Sequence, residues 1–258
     1  MTPTNQQFSE PDHPAPDPSF QPARIRIEMG AKTPWVTYVT MGLCIVIYVL
    51  QMLSESMIGQ DWPLVIGAKI NEAIFAGQYW RLLTPALLHG SITHILFNMY
   101  ALYVIGRGIE QYYGHGRFFL LFWLSAFSGN VLSFLFSDGV SVGASTAVFG
   151  IVAAEGVFIF RNRKFFRNPS RMLINTLAIV GINLVLGLSP GIDNWGHLGG
   201  LLGGLVFAWV AGTIWQLKPE MGEMVLADGE AGTRTWLGSA AVFLLFGVPF
   251  LIQIFLAR

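Results

Sequence analysis

Apolar residues fill the chain in long runs, and short polar segments separate these runs. A helix that crosses a membrane needs about 20 mostly apolar residues. Seven runs approach that length, and they cover residues 35–53, 82–106, 118–137, 142–160, 172–188, 195–215 and 236–256. In the second run Pro85 delays the helix and Ser91 is suited to cap it, which predicts a helix over about residues 91–110. The pattern therefore predicts an all-α polytopic membrane protein with seven transmembrane helices.

The segments around these runs divide the chain into regions. Residues 1–33 hold six prolines and few apolar side chains, which predicts a disordered cytoplasmic tail. Residues 34–215 contain the first six runs and predict a helical core, with a long outer loop at 54–82. Residues 216–235 contain glycine and acidic residues and predict a cytoplasmic linker. Residues 236–258 predict the seventh transmembrane helix.

The composition agrees with a membrane protein and argues against several other classes. Hydrophobic residues make up 53% of the chain and charged residues 12%, with a mean hydropathy of +0.54. A soluble domain carries about 25% charged residues. The formal net charge is zero and no basic patch with interleaved aromatic residues occurs, so nucleic-acid binding is not expected. Cys44 is the single cysteine, which excludes an intramolecular disulfide and a cysteine-based zinc site.

The distribution of lysine and arginine predicts how the chain crosses the membrane. Cytoplasmic loops of membrane proteins are enriched in these two residues. With the N-terminus in the cytoplasm, 12 of the 15 fall inside, and the three outside are Lys69, Arg81 and Arg258. We therefore expect an N-in, C-out arrangement in a lipid bilayer.

Polar side chains inside a membrane are costly, and four of them fall at related positions. The second, fourth and sixth predicted helices run in the same direction, from outside to inside. His94, Ser145 and His197 each lie two or three residues into their own helix, so they share nearly the same depth. Asn98 follows His94 by one turn on the same helix face. We expect these four side chains to meet in one pocket that opens to the outer side.

A serine beside a histidine is the minimal pair for acyl transfer, because the histidine takes the hydroxyl proton and later returns it to the leaving group. Ser145 is thus a candidate nucleophile and His197 a candidate general base. A tetrahedral intermediate also needs hydrogen-bond donors near its oxyanion. His94, Asn98 and the backbone N–H of Ser145 are donors of the right type. The segment "HLGGLLGG", residues 197–204, has glycines at four-residue spacing, which lets its helix approach the fourth helix closely.

Three segments together resemble the rhomboid family of intramembrane serine proteases. They are "GQYWRLLTPALLHGSITHILFNMYALYVIGRGIEQYYG" (77–114), "GASTAVFG" (143–150) and "DNWGHLGGLLGG" (193–204), in the family's order within residues 67–210. The resemblance implies a rhomboid-like six-helix core plus one C-terminal transmembrane helix. It implies Ser145 as nucleophile, His197 as general base, and His94 and Asn98 at the oxyanion. It further implies transmembrane protein substrates that are cleaved near the outer membrane face, no cofactor and no metal, and a location in a bacterial inner membrane.

Two further positions follow from the same resemblance. Phe149, one turn after Ser145, is expected to pack against the ring of His197. Thr146 stands where the family usually has glycine, and its hydroxyl is expected to bond back to the carbonyl of Val142. A β-branched residue at this position leaves an alternative function open, a rhomboid-like protein that binds membrane clients and cleaves weakly or not at all. The joint presence of Ser145 and His197 favours the protease.

Other roles for the polar residues are less favoured by the sequence. Asp193, four residues before His197, could complete a triad, but a triad carboxylate must be buried against the imidazole and Asp193 is expected in an aqueous loop. A dyad is therefore expected. His89 precedes the second helix and is expected near the surface in a structural role. A metal site built from His89, His94 and His197 has neither an HExxH motif nor a carboxylate companion to support it.

Glu155, about 15 Å below Ser145 by helical rise, is the remaining intramembrane acid. Near the cytoplasmic end it is expected to reach the interface or to pair with Arg161. A transporter function is not favoured, because no pair of broken midplane helices and no chain of buried acids occurs.

Overall fold

The helices follow the apolar runs closely. The computed structural model describes residues 25–220, 223–229 and 232–256. Within those residues the α-helices are α1 (Trp35–Ile58), α2 (Trp62–Gly67), α3 (Asn71–Phe75), α4 (Ile92–Ala101), α5 (Arg107–Tyr113), α6 (His115–Phe136), α7 (Ser145–Arg161), α8 (Pro169–Leu186), α9 (Asn194–Ala211), α10 (Gly232–Val242) and α11 (Val248–Leu256). Apolar helices dominate the structure, which confirms the predicted fold class of a helical polytopic membrane protein.

Two of the long helices contain a π-helical turn. Leu102–Gly106 joins α4 to α5, and Phe243–Gly247 joins α10 to α11, so each pair forms one continuous helix. Ser91 caps the first of these pairs, because its side chain accepts a hydrogen bond from the backbone N–H of His94. The predicted start of the second helix is therefore confirmed.

Among the described residues, four helices are long and apolar enough to cross a membrane: Trp35–Ile58, His115–Phe136, Pro169–Leu186 and Gly232–Leu256. The helices that carry the candidate site residues are different ones. Helix α7 has 17 residues, and the α4–α5 pair and α9 carry polar side chains such as His94, Asn98 and His197. The seven-helix count and the N-in, C-out arrangement therefore stay predictions.

Helices α6, α7 and α9 form the centre of the protein, and glycines bring their backbones together. A Cβ atom added to Gly200 would lie 1.9 Å from the carbonyl oxygen of Thr146, and one added to Gly204 would lie 2.3 Å from Cα of Gly150. No side chain fits at either position. The close approach predicted for the helices of Ser145 and His197 is thus confirmed.

The outer loop is folded rather than extended. It contains α2, α3 and the 3₁₀ turn Tyr79–Leu82, and a second 3₁₀ turn, Thr84–Leu87, follows directly after it. The buried guanidinium of Arg81 donates to the carbonyls of Ala68 and Val65, at 2.6 and 2.7 Å. These bonds tie the later turns of the loop to its earlier helices, so the loop is a rigid platform beside the site.

A small β-sheet corrects two expectations. It consists of β1 (Ile25–Ile27), β2 (Trp215–Glu220) and β3 (Glu223–Asp228) in the order β1-β3-β2, with β1 parallel and β2 antiparallel to β3. The disordered tail predicted for 1–33 is wrong for residues 25–27, and the linker predicted for 216–235 is wrong over the strands and over the start of α10. Pairing between segments nearly 200 residues apart leaves no local signal in the sequence. The prediction also fails after β1, because the backbone N–H groups of Glu28 and Ala31 donate to the carbonyls of Leu226 and Gln111. Residues 1–24 lie outside the described residues.

The sheet is attached to the ends of the helices that lie away from Ser145. Arg117 of α6 forms an ion pair with Asp228 of β3, at 2.6 Å. The side chain of Trp215 is buried and packs edge-on against the rings of Tyr112 and Phe158. The strands therefore belong to the same packed body as the helices.

A buried glutamate fixes the start of α1 at this same end. Glu110 of α5 is fully buried and accepts hydrogen bonds from the backbone N–H groups of Val36 and Thr37, at 2.9 and 2.7 Å, and from the Thr37 hydroxyl. A carboxylate is favourable at a helix N-terminus, where free N–H groups carry partial positive charge. Glu110 thus joins the first helix to the second.

Candidate active site

Ser145 is the first residue of α7 and follows the loop 137–144. Within that loop Gly143 has a φ of +124°, a conformation that favours glycine. A Cβ atom at this position would lie 2.5 Å from Nε2 of His94. The loop can therefore bring His94 and Ser145 together only because residue 143 lacks a side chain.

His197 lies in the first turn of α9, and its ring reaches Ser145. Its Nε2 atom is 2.9 Å from Oγ of Ser145, which is hydrogen-bond distance. The predicted meeting of these two side chains is confirmed. For the serine hydroxyl to donate to Nε2, the ring proton must sit on Nδ1.

Phe149 supports the imidazole from the side. Its ring stacks on the ring of His197 with centroids 4.5 Å apart and an angle of 17° between the planes. Phe149 lies one helical turn after Ser145, so a single helix face carries both the hydroxyl and the aromatic support. The expected contact is confirmed.

Asp193 caps α9 and does not orient the imidazole. Its Oδ1 accepts from the backbone N–H of Gly196 at 2.9 Å, and its carbonyl accepts from the backbone N–H of His197 at 3.1 Å. Across the residues that the structure describes, Nδ1 of His197 and the second carboxylate oxygen of Asp193 have no hydrogen-bond partner. Within the described residues, the ring of His197 is therefore hydrogen-bonded to Ser145 and to no carboxylate.

His94 and Asn98 lie on α4, on the other side of Ser145. His94 packs against Gly143, because a Cβ atom added to this glycine would lie 2.5 Å from Nε2 of His94. The buried side-chain amide of Asn98 donates to the carbonyl of His94 at 3.1 Å. An amide carries two hydrogens, so one remains for another acceptor. The structure brings His94 beside the serine loop and places Asn98 one turn behind it.

His89 lies deeper than expected. Its side chain is buried, and its ring packs edge-on against the ring of His94 with centroids 5.2 Å apart. Its backbone N–H donates to Oε1 of Gln51 in α1, and Nε2 of Gln51 donates back to the His89 carbonyl. The expectation of a surface position is wrong because Gln51 of α1 and His94 of α4 pack against this residue.

Thr146 is accommodated by glycines on both neighbouring helices. A Cβ atom on Gly129 of α6 would lie 2.7 Å from Cβ of Thr146, and one on Gly196 of α9 would lie 3.2 Å from its Cγ2. The bulk that sequence reasoning singled out therefore fills space that these glycines leave, and the serine–histidine contact stays at 2.9 Å. The sequence offered no signal that Gly129, 17 residues away, faces this threonine.

The hydroxyl of Thr146 does not form the expected bond to Val142. It is buried and has no partner in the described part of the chain. Helix α7 begins only at Ser145, so the carbonyl of Val142 lies outside the helical geometry that such a bond requires.

Glu155 contacts the neighbouring helix instead of a cation. Its carboxylate accepts a hydrogen bond from the hydroxyl of Thr176 in α8, at 3.3 Å. Arg161, the partner considered from the sequence, donates to the backbone carbonyl of Trp209. The expected pairing of Glu155 with Arg161 is therefore wrong.

Comparison with known proteins gives the class to which this fold and site belong. The family model of the Rhomboid domain matches residues 76–214, which is more than half of the chain. The chain belongs to the rhomboid family. It is an integral membrane protein of the group that includes rhomboid intramembrane proteases.

Several curated proteins are similar over the helical core. The rhomboid protease GluP of Bacillus subtilis (strain 168) is 38% identical over 180 residues, which cover 69% of this chain and 35% of that protein. RHOMBOID-like protein 2 of Arabidopsis thaliana is 41% identical over 141 residues, covering 54% of this chain and 44% of that protein. RHOMBOID-like protein 4 of the same plant is 38% identical over 145 residues, covering 56% and 37%. The chain thus spans between a third and a half of the length of these relatives.

Proposed function

We propose that this chain is an intramembrane serine endopeptidase that cleaves transmembrane protein substrates through a dyad of Ser145 and His197. The contact of 2.9 Å between the serine hydroxyl and the imidazole carries the proposal. Membership of the rhomboid family and the similarity to a rhomboid protease support it.

The dyad can perform both halves of peptide hydrolysis. His197 takes the proton of the Ser145 hydroxyl through Nε2 while Oγ attacks the scissile carbonyl carbon. The tetrahedral intermediate collapses, the imidazole returns the proton to the leaving amine, and an acyl-enzyme remains. Water then attacks the acyl group with the same histidine as base, which frees the serine. Every step uses side chains of this protein and requires no cofactor.

His94, Asn98 and the backbone N–H of Ser145 would stabilise the oxyanion. Ser145 opens α7, and the first N–H groups of a helix have no acceptor within the helix. The second amide hydrogen of Asn98 and the position of His94 beside Gly143 support this role. Hydrogen-bond donors that the folded protein already holds in place stabilise an oxyanion more strongly than donors that must reorient during the reaction.

The substrate would be a transmembrane segment that unwinds near the outer membrane face. A helix shields its carbonyls by internal hydrogen bonds, so cleavage requires local unwinding. The excess of basic residues in the predicted inner loops supports an N-in, C-out orientation, with the dyad near the outer ends of its helices. A bacterial inner membrane is the proposed location.

Substitution of each dyad member tests the proposal. Ser145→Ala and His197→Ala should each lower cleavage of a transmembrane substrate by about 10³-fold or more, and the double variant should be no worse. Asp193→Asn should lose less than about tenfold, because this carboxylate caps the helix and does not contact the ring. A loss with Asp193→Asn equal to that with His197→Ala would contradict the dyad.

A second candidate function is a rhomboid-like protein that binds membrane clients with little or no cleavage. The observation that favours it is Thr146, which stands directly after the nucleophile where the family usually has glycine and which fills the space between α6 and α9. If this is the function, the wild-type protein and the Ser145→Ala variant should bind a transmembrane client equally well, because binding does not need the hydroxyl. Equal binding by wild type and variant, with no product from either, would establish this function.

A further inference from the structure

Lys69 is a charged residue of the outer loop, and it is completely buried. Its relative exposure is 0%, although the sequence places it among three cations on the outer side. A lysine is almost never fully buried without specific partners. Its ammonium group donates to the carbonyls of Ser137 and Gly139, at 2.6 and 3.1 Å.

Both acceptors belong to the segment that leads to the nucleophile. Ser137 ends α6, and Gly139 lies in the loop between α6 and α7. The backbone of Lys69 also pairs with Ser141 in both directions, at 3.0 and 3.2 Å. Two residues further on, the N–H of Gly143 donates to the carbonyl of Pro85 at 2.8 Å. The outer loop and the 3₁₀ turn that follows it thus hold the loop 137–144, which leads to Ser145, along most of its length.

Lys69 also interacts electrostatically with the N-cap of α9, the helix that carries His197. The carboxylates of Asp193, Asp138 and Glu72 act on the ammonium group electrostatically. Asp193 caps α9 with one oxygen, and its other oxygen is buried without a hydrogen-bond partner among the described residues. A buried anion is costly unless a cation compensates it. Lys69 forms no ion pair with Asp193 within the described residues, so its ammonium group acts on the cap of α9 through longer-range attraction.

We propose that Lys69 is a positioning residue for the dyad: its ammonium group fixes the loop 137–143 and balances the charge of Asp193, so that Ser145 and His197 keep their contact. This inference rests on the proposed protease function. Lys69 acts through the loop and the helix cap, because its recorded hydrogen bonds go to neither Ser145 nor His197.

The charge of Lys69 gives this role a pH signature. Burial lowers the pKa of Lys69 below its ordinary value of 10.5, and Asp193, Asp138 and Glu72 oppose that shift. Below the lowered pKa the ammonium is present and the loop is held. Above it the amine is neutral and the rate falls. Between the lowered pKa and 10.5 the unfolded chain binds more protons than the folded protein, so this group makes stability rise with pH while activity declines.

The other charged groups that face Lys69 are all carboxylates. They are Glu72 on α3, Asp138 in the α6–α7 loop and Asp193 at the N-cap of α9. Replacing Lys69 by arginine leaves these three groups in place and changes only the titrating amine. An alkaline loss of activity that depends on residue 69 therefore reports the lysine itself.

The experiment measures the rate at which a fluorophosphonate labels Ser145 in the full chain, together with thermal unfolding in the same detergent. Lys69→Met removes the charge and both hydrogen bonds at similar volume, and labelling should slow by about 10- to 100-fold. The exposed Lys164→Met, at the other end of the protein, serves as matched control and should label at the wild-type rate. Lys69→Arg keeps a positive charge that does not titrate in this range. It should therefore be labelled at close to the wild-type rate and should show no loss of rate at alkaline pH.

Three results would overturn the role of Lys69. The first is that Lys69→Met is labelled at the wild-type rate. The second is that Lys69→Arg loses labelling rate at alkaline pH as the wild type does. The third is that the wild-type labelling rate stays constant up to the ordinary lysine pKa of 10.5. The last result decides even if both variants fail to fold. Failure of the proposed function is a separate outcome, since wild-type protein would then not be labelled at any pH.

Discussion

Helices α8 and α9 have the same length of 18 residues and opposite surroundings. Helix α9 packs along α6 and α7 and buries a stripe of glycines. Helix α8 packs mainly on α7, and Thr176 is its one buried residue. Most of its large apolar side chains are exposed, as suits a surface that faces lipid.

This difference shows which contacts hold the candidate site. Lipid is as apolar as leucine, so close backbone packing and hydrogen bonds, rather than apolar burial, join helices in a membrane. The contact between Ser145 and His197 spans α7 and α9, where glycines allow that packing. On its other face α7 meets α8 through looser packing and the bond between Thr176 and Glu155. Changes on the α9 side should therefore affect activity far more than changes on the α8 side.

The largest difference is expected when a single methyl group is added to a glycine of α9 and, for comparison, to a glycine of α8. Gly200→Ala places Cβ 1.9 Å from the carbonyl oxygen of Thr146, whereas Gly181→Ala on α8 meets nothing within 4 Å. The first variant should lose on the order of 3 kcal/mol or more of stability and all cleavage. The second should be unchanged or gain up to about 1 kcal/mol, because alanine favours a helix over glycine. Thermal unfolding in detergent measures both, and equal values would refute the comparison.

The next effect concerns the side of Ser145 that faces α4. Asn98→Ala removes an oxyanion donor, and loss of one such donor costs about 10²–10³-fold in rate. The variant should still be labelled at Ser145, since the dyad is intact. Unchanged cleavage by a well-folded Asn98→Ala protein would show that Asn98 is structural and only caps the carbonyl of His94.

A smaller effect is expected where Thr146 fills the space between Gly129 and Gly196. Thr146→Gly should lower stability by about 1 kcal/mol, from the weaker helix propensity of glycine and the loss of the packed threonine side chain, while cleavage stays equal or rises. Thr146→Leu should separate α7 from α9 and abolish cleavage. Assays of wild type and Thr146→Gly under identical detergent conditions decide between the two candidate functions. Cleavage by the glycine variant alone would mean that threonine has disabled the enzyme.

The smallest effect should come from the α8 interface. Thr176→Ala removes the hydrogen bond to Glu155, and such bonds between membrane helices average about 0.6 kcal/mol. Thermal unfolding should shift slightly, and cleavage should stay close to the wild-type rate. A loss of activity comparable to that of Asn98→Ala would show that α8 contributes to the site after all.

The sequence predicted those features that depend on local pattern. Apolar runs predicted the long helices, and local residue types predicted the cap by Ser91. The stacking of Phe149 on His197 was implied by the resemblance to the rhomboid family. Contacts between distant segments could not be predicted in this way. The strand Ile25–Ile27 pairs with a partner nearly 200 residues away. Lys69 was counted only as a charge on the outer side, and nothing in the sequence showed that the fold buries it. The orphan hydroxyl of Thr146, unpartnered among the described residues, depends on α7 starting at Ser145, three residues later than the apolar run suggests.

The central claim is that His197 activates Ser145, and reaction with a fluorophosphonate probe tests it most directly. The probe forms a bond between Oγ and phosphorus as fluoride leaves, so only an activated serine reacts readily. Wild-type protein in detergent should be labelled at Ser145, Ser145→Ala should not be labelled, and His197→Ala should be labelled at least about 10³-fold more slowly. Folded wild-type protein that resists the probe, or equal labelling of wild type and His197→Ala, would contradict the account.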